Sequence, residues 1–583
     1  MYLNIESGPL FGIFHGASPS MPPGTAVLIC PPWGWDEVTT YRSRRAWAEH
    51  LADTGHPSLR IDLPGAGDSA GSPSDPARLG AWTEAIVAAT TWLRDTTGAR
   101  VAVIGLGLGG LIASLALADG APIDDLVLWA SPARGRSFLR EQRAFAKFQS
   151  SGYGATGTAD TTLPDGWLEV GGFVLSAETI SAIERIEVGE AGFGGLQRAM
   201  LMARDGIPTD GRLHTALERG GVAVTVGSGT GWGAMCFNVE HYQPPLEVFG
   251  RVNAWLEAAP AALSPSAPPR KPAGPPTGDH GDFLVDGSRI RETPIGHDGT
   301  LEGSVGLLAE PWSEPRADLC AIFLNAGAIR RIGPNRMWVE AGRRWAARRV
   351  PTLRVDFVGI GDADGDAGVY VDVGRFYTPD LGEQVTAIID ALESRGVGQR
   401  FVLIGLCSGA YWAFNTAAAD DRVVAAVLLN PRALVWDPAL EAHRDARLAR
   451  RAMQPYSWRR ILRGEVKAAR LLRIGRAMAL QPWRGLLRIP GRLRHRRRAD
   501  PQTVKLERTL DQLRDSRTRV VVAFSGDEAV RHELERDGII ARIDRWPNVV
   551  MEDLPARDHT VRPIAAQNAV HDLIDRELSA LIE

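Results

Sequence analysis

Phe401-Val402-Leu403-Ile404-Gly405-Leu406-Cys407-Ser408-Gly409-Ala410 is the stretch that decides how this chain is read. Its four leading apolar residues suit a strand buried on both faces, and Tyr411 to Ala419 continues as a helix-like run. A buried strand that turns sharply into a helix, with small residues on either side of a nucleophilic side chain, is a nucleophile elbow. Glycines serve the tight turn and the close packing of helix on strand. The frame made by Gly405 and Gly409 centres on Cys407, which makes the adjoining Ser408 the poorer nucleophile. Far upstream, Val101-Ala102-Val103-Ile104-Gly105-Leu106-Gly107-Leu108-Gly109-Gly110 repeats the pattern with Gly107 where a nucleophile would stand.

Strand and helix patterns alternate outward from both stretches. Tyr2 to Phe14 reads as an edge hairpin, Ala26–Cys30 and Ser58–Asp62 as strands, and Gly80 to Asp95 as a helix. Residues 140–196 break the alternation and read as a lid insertion. Pro260, Pro265, Pro268, Pro269, Pro272, Pro275 and Pro276 crowd the segment 259–281, and so many missing N–H donors predict an exposed, semi-stiff linker. Beyond it the same order returns. An N-terminal hairpin spans 283–309, Ala321–Asn325 matches the Ala26 strand, and Arg354 to Gly365 follows the pattern of Arg60 to Gly71 without a gap. Internal duplication is the simplest reading. The expected fold class is α/β, with two tandem units, each a mostly parallel, doubly wound sheet with a helical lid. The expected boundaries are 1–258 for the first unit, 259–281 for the linker and 282–583 for the second unit, whose basic lid covers about 435–510.

Composition narrows the function classes. The chain has 583 residues, too many for one ordinary core, with 44% hydrophobic and 23% charged residues and a net charge of −3. That balance carries no overall signal for a polyanion partner. Neither a signal-peptide pattern nor a long apolar run suggests export or a membrane span. Cys30, Cys236, Cys320 and Cys407 are scattered, without metal-ligand spacing, which predicts a reducing, cytoplasmic setting and no metal. Asp356, Asp362 and Asp364 are better read as stabilising the turn after a strand than as ligands.

Asp62 to Gly71, Asp356 to Gly365, the two elbows and Asp558-His559-Thr560-Val561-Arg562-Pro563 together resemble α/β-hydrolases of the serine-aminopeptidase-like kind. The resemblance covers nearly the whole chain apart from the linker and the two insertions. It implies the chain order nucleophile, acid, histidine. On that order Cys407 is the nucleophile, Asp527 the acid with Glu528 as the alternative, and His559 the base. A thiol must ionise to attack, an imidazole takes its proton, and the acid fixes the imidazole tautomer. The oxyanion hole would use the backbone N–H of Ser408 with that of Gly327 or Ala328. Asp558 reads as a neighbour that caps the loop. In the first half the corresponding positions are Gly107, Asp205 and His241, a set without a nucleophile and hence a degenerate copy. Cys30 and Ser131 are the remaining nucleophiles near that site, and neither stands on an elbow.

From His443 to Arg508 about twenty Lys and Arg face about four Asp and Glu. Such a segment is either a solvated helical face or a surface for an acidic partner, whether a carrier protein, a CoA ester or an anionic membrane. Nucleic acid is not expected, because no recognised binding fold accompanies the charge. Cys elbows have three precedents within the resemblance: lactone hydrolases of the dienelactone-hydrolase type, polyester synthases, and acyltransferases that move aminoacyl groups between carrier proteins. The expected activity is hydrolysis or transfer of an acyl group through an acyl-Cys407 thioester, on a small-molecule or carrier-bound substrate and without a cofactor. The alternative is a non-catalytic scaffold or binding protein with both halves degenerate.

Overall fold

In the computed structural model every residue is described except 19–23, 153–162, 190–191, 240–241, 260–276, 298, 314–315, 437–499, 527 and 583. Two nine-stranded sheets organise it. Across the first, the order is Ala223–Gly227, Arg198–Met202, Asp125–Trp129, Val101–Leu106, Ala26–Cys30, Ser58–Ile61, Gly8–His15, Tyr2–Ile5 and Thr277–Gly278. The first six run parallel, and the N-terminal hairpin adds antiparallel strands at one side. The second sheet runs Gly281–Val285, Ser288–Ile295, Val305–Pro311, Thr352–Asp356, Leu319–Phe323, Arg400–Leu406, Val423–Leu429, Arg519–Phe524 and Val549–Asp553. Its last six strands are parallel. Each sheet thus has an antiparallel edge on a parallel centre, with helices on both faces. The central strands are apolar throughout because both faces are covered: Phe401 to Ile404 and Val101 to Ile104 have no exposed surface.

Three details differ from the sequence reading. Residues 283–309 belong to three strands rather than a hairpin, because Val305–Pro311 pairs with both Ser288–Ile295 and Thr352–Asp356. Thr277–Gly278, inside the expected linker, pairs with Tyr2–Ile5 and extends the first sheet. The first insertion opens earlier than residue 140, with the helix Gly135–Gly152, and continues through the hairpin Leu168–Val170/Phe173–Leu175 and the helix Ala177–Glu184. Of the expected basic lid, 437–499 lies outside the described residues. Its C-terminal end is the helix Pro501–Asp515, whose Leu506, Leu510 and Leu513 recur at helical spacing and sink into the core of the second sheet. That end packs on the sheet.

The two sheets are joined by buried charge. Each Gly-x-Gly-Asp turn is pinned to its own strand end, as the sequence implied: Asp68 N–H donates to Asp62 Oδ2 (2.8 Å) and Asp362 N–H to Asp356 Oδ2 (3.2 Å). Both turn carboxylates then cross to the other half. Arg60 reaches Asp362 at 3.0 Å, and Arg354 reaches Asp68 at 2.6 Å. The exchange is reciprocal, as in an isologous contact. Between these pairs lie Arg330, 2.8 Å from Asp62, and Arg331, which holds Asp68 (2.9 Å), Asp356 (2.7 Å) and Asp362 (2.8 Å). Tyr41 O–H donates to Asp362 as well (2.5 Å). Burial raises the Asp68 carboxyl, but Arg331, Arg354 and Arg330 outweigh it and hold the group at about 2. An apolar patch flanks the charges, with Tyr2, Phe11 and Ala70 against Phe283, Ile290 and Leu307.

Arg354 is fully buried between Asp68 and Glu292, each at 2.6 Å. Replacing it (Arg354→Leu) removes a guanidinium from two buried carboxylates, leaving Asp68 to Arg331 (2.9 Å) and Glu292 to Arg343 (2.8 Å) and the buried cluster one positive charge short. The expected loss in stability is about 3–5 kcal/mol, read as a lower midpoint in urea unfolding of the full chain. An unchanged midpoint would show that the two halves do not depend on this contact.

Candidate active site

The strand Arg400–Leu406 delivers Cys407 to the start of the helix Ser408–Ala417. Cys407 has φ 60° and ψ −111°, a conformation that costs a side-chain-bearing residue energy and that clusters at functional turns. Its N–H donates to Leu429 O at 3.0 Å, which ties the turn to the neighbouring strand. The framing glycines are needed for close approach. A Cβ on Gly405 would lie 2.2 Å from Gly409 C, and one on Gly409 would lie 2.4 Å from Asn325 O. The helix N-terminus beside Cys407 favours a developing negative charge there.

His559 stands in the loop between the strand Val549–Asp553 and the helix Ile564–Ile582. It is hydrogen-bonded to Cys407, and its Nδ1 lies 2.9 Å from Glu528 Oε1. Burial works against the charged imidazolium. The bonds to Cys407 and Glu528 more than offset it and push His559 up to about 10. The carboxylate on His559 is therefore Glu528, the alternative acid of the sequence reading, and Asp527 lies outside the described residues. Glu528 stands at the N-cap position of the helix Ala529–Arg536, one position beyond Asp527 and with one more methylene, and its side chain makes no capping bond.

Sequence reasoning missed Asn430. This residue, at φ 43° after the strand Val423–Leu429, donates through Nδ2 to His559 O (2.9 Å) and to Ser525 Oγ (2.8 Å). Its Oδ1 accepts from Ser525 N–H at 2.6 Å. One side chain thereby holds together the loop carrying His559 and the loop carrying Glu528. A lone Asn at a strand end is common in turns, so nothing in the sequence set this one apart. Asp558 caps the loop as expected, accepting from Thr560 Oγ1 (3.0 Å) and Arg562 N–H (3.0 Å).

Of the three backbone donors expected for an oxyanion, the structure commits one elsewhere. Gly327 N–H donates to Ser408 Oγ at 3.0 Å. Ala328 follows it in the same loop, and Ser408 opens the elbow helix.

The first half keeps the turn, with glycine at the position of Cys407. Gly107 has φ 53° and ψ −118°, nearly the angles of Cys407, and its N–H donates to Trp129 O at 2.9 Å. A Cβ there would meet only Pro32 at 3.7 Å and the Trp232 ring at 3.9 Å. Asp205 accepts from Gly231 N–H (2.6 Å) and Gly233 N–H (2.5 Å) at the start of the short helix Trp232–Met235. His241 lies outside the described residues. Burial pushes the Cys30 thiol up to about 12, with Arg44 opposing, and Ser131 Oγ is turned toward Gly105 O at 3.4 Å. Neither is placed to act as a nucleophile.

The first half packs against the second beside the last helix. Trp35, Phe173 and Val239 pack on the same apolar cluster as Cys407. Gln567 Nε2 donates to Gly172 O (2.9 Å), and Ile564 N–H to Glu169 Oε1 (3.3 Å), just beyond the His559 loop. Among the described residues no cluster of His, Cys, Asp and Glu could hold a metal ion, and no helix is long and apolar enough to cross a membrane.

The charge on His559 has a pH signature. A pKa raised from 6.5 to about 10 means that folding favours the imidazolium. Its contribution to stability is present in full below 6.5 and is lost as pH rises through about 10. The gap in melting temperature between the natural chain and His559→Gln is expected to narrow steadily from pH 7 to pH 10. A gap that widens over that range would contradict the assignment.

Residues 321–570 match the alpha/beta hydrolase family. Solved structures similar to this chain include Est1E from Butyrivibrio proteoclasticus with ferulic acid bound, at 17% identity and TM-score 0.33, covering 44% of this chain and 98% of that one. XC6422 from Xanthomonas campestris, described as an a/b serine hydrolase without lid, has 14% identity and TM-score 0.27 over 45% of this chain and 95% of its own. The esterase Pf2001 from Pyrococcus furiosus has 16% identity and TM-score 0.30 over 44% and 88%. No curated protein matches the sequence.

Proposed function

We propose that the chain is an acyl-transfer enzyme with one active site, at Cys407, and that its first half is a degenerate copy of the second, retained as a partner. The observation that carries this reading is the hydrogen-bonded line Cys407–His559–Glu528 on a left-handed elbow at a helix N-terminus. His559, already an imidazolium, hydrogen-bonds the Cys407 sulfur and favours its thiolate form, whose Sγ attacks the acyl carbon. Glu528 on Nδ1 fixes the tautomer and steadies the imidazolium. The Ser408 and Ala328 N–H groups receive the oxyanion, since Gly327 is engaged by Ser408 Oγ. As the tetrahedral adduct collapses, the bond to the leaving group breaks and His559 gives its proton to that group, leaving a thioester on Cys407. Water, or an acceptor amine, thiol or alcohol, is then deprotonated by His559 and releases the acyl group. Hydrolysis of an ester, thioester or lactone and transfer to a small-molecule or carrier-protein acceptor share this first half-reaction.

A scaffold role with both halves degenerate is the competing reading, and it has no use for the pairing of His559 with both Cys407 and Glu528. Iodoacetamide at neutral pH is expected to label Cys407 well ahead of Cys30, Cys236 and Cys320, and His559→Ala is expected to remove that preference. Incubation with acyl-thioester and lactone libraries is expected to give an acyl adduct on Cys407 by intact mass. Glu528→Gln should slow adduct formation by about 10²–10⁴-fold, the range for loss of a tautomer-fixing acid, whereas Asp527→Asn should leave it largely intact. Uniform labelling of all four cysteines, with no adduct from any ester, thioester or lactone, would leave the scaffold reading standing.

A further inference from the structure

A second cavity, of about 280 Å³, lies between the halves and is not lined by Cys407, His559 or Glu528. Its walls come from both sides of the joint. The first half supplies the loop Pro31–Gly34, the Leu63–Gly67 turn, Trp82 and the hairpin residues Phe173, Val174 and Leu175, while the second supplies Ile332, Asn335, Arg336 and the start of the last helix. The Pro31–Gly34 loop follows the strand Ala26–Cys30 as the Gly327 loop follows Leu319–Phe323, so the space adjoins what would be the oxyanion side of the degenerate site.

Most polar groups at this cavity already have partners. Asp62 is bound by Arg330 at 2.8 Å, and Glu37 by Arg44 at 2.7 Å. Arg78 holds Asp75 at 2.8 Å, and Arg336 donates to Gly67 O (2.9 Å) and Ser69 O (2.8 Å). Burial keeps His571 below its ordinary value and hence uncharged near neutrality. Asn335 differs. It is 6% exposed, and among the described residues neither its Nδ2 nor its Oδ1 has a hydrogen-bond partner. It is also held at φ 49° and ψ 33°, followed by Arg336 at φ 69°. Two consecutive left-handed residues that carry side chains are a strained arrangement, and such strain clusters at ligand clamps. Arg78 Nε is a further buried N–H without a partner. A buried primary amide left unmet costs the full desolvation of both its ends, so it calls for an occupant that returns one donor and one acceptor side by side.

We propose that this cavity is a binding site, separate from the Cys407 centre, for an uncharged molecule with an apolar, aromatic-sized body and a lactam or cis-amide edge that pairs with the Asn335 carboxamide. The ring faces of Trp33, Trp82 and Phe173 suit the body, and Asn335 suits the edge. The matched charges around the site disfavour an ionic ligand, because a net charge brought in would be desolvated without a counter-charge. The site is complete only when both halves are present, which gives the degenerate half a role of its own.

Quinolin-2-one carries the required edge on a fused aromatic body and serves as the probe. Calorimetric titration of the full chain is expected to show saturable binding. 1-Methylquinolin-2-one, with its donor capped, is expected to bind at least about tenfold more weakly, as are 2-naphthoate and 2-naphthylmethylamine. Asn335→Gly keeps the left-handed turn and removes the amide, and should weaken the probe by about tenfold or more. Val174→Trp fills the apolar wall with Asn335 intact and should abolish binding, with circular dichroism confirming that both variants fold. The proposal is overturned if the methylated or charged compounds match the lactam, if Asn335→Gly binds it unchanged, or if no binding is seen at millimolar probe, in which case water alone meets the amide. The readout is binding with Cys407 untouched, so it stands or falls apart from the acyl-transfer reading.

Discussion

The reciprocal crossing of Arg60 to Asp362 and Arg354 to Asp68 is the contact on which the remaining architecture depends. These side chains are almost wholly buried, and each guanidinium or carboxylate would be costly there alone. Together they fix one relative placement of the two sheets, because a slip of either turn would separate several charges at once. Buried ion pairs are weak sources of net stability, since the cost of desolvation offsets most of their attraction. Here the apolar contacts around Tyr2, Phe283 and the neighbouring strands supply the burial, and the charges supply the register.

That joint bears directly on the site. Arg330 and Arg331 follow Gly327 and Ala328 in the same loop, so the loop beside the Cys407 elbow is anchored at its far end by carboxylates of both halves. Arg331 N–H also donates to Asp356 Oδ1 at 2.6 Å. On the other flank, the hairpin of the first half grips the start of the last helix, a few residues beyond His559. The first half has glycine where the second has Cys407, in a turn of nearly the same angles. What it contributes is anchors for the Arg330–Arg331 loop and for the start of the last helix, together with one wall of the cavity at Asn335.

The elbow shows how far local pattern carries. Gly405 and Gly409 admit no Cβ, so the sequence had to place glycine there and the motif was readable. The strands and the last helix, Ile564–Ile582, were readable for the same reason, since burial on both faces or on one helical stripe leaves a periodic trace. The acid of the site was less readable. Asp527 and Glu528 are adjacent carboxylates after the same strand, and only the path of the chain to His559 distinguishes them. Asn430 left no trace at all, because its role depends on two loops that are remote from it in sequence.

The sequence by itself determined the α/β architecture, the two elbows, the missing nucleophile at Gly107 and the order in which Cys407, an acid and His559 follow one another. These are matters of local composition, periodicity and turn chemistry, which each segment carries within itself. The tertiary structure alone decided that Glu528 meets His559, that Gly327 N–H is spent on Ser408 Oγ, that Asp205 caps a helix, and that the turn aspartates face each other's arginines across the joint. Such pairings join residues far apart in the chain. Their geometry follows from how two packed sheets bring loops together, and no single stretch of sequence contains that information.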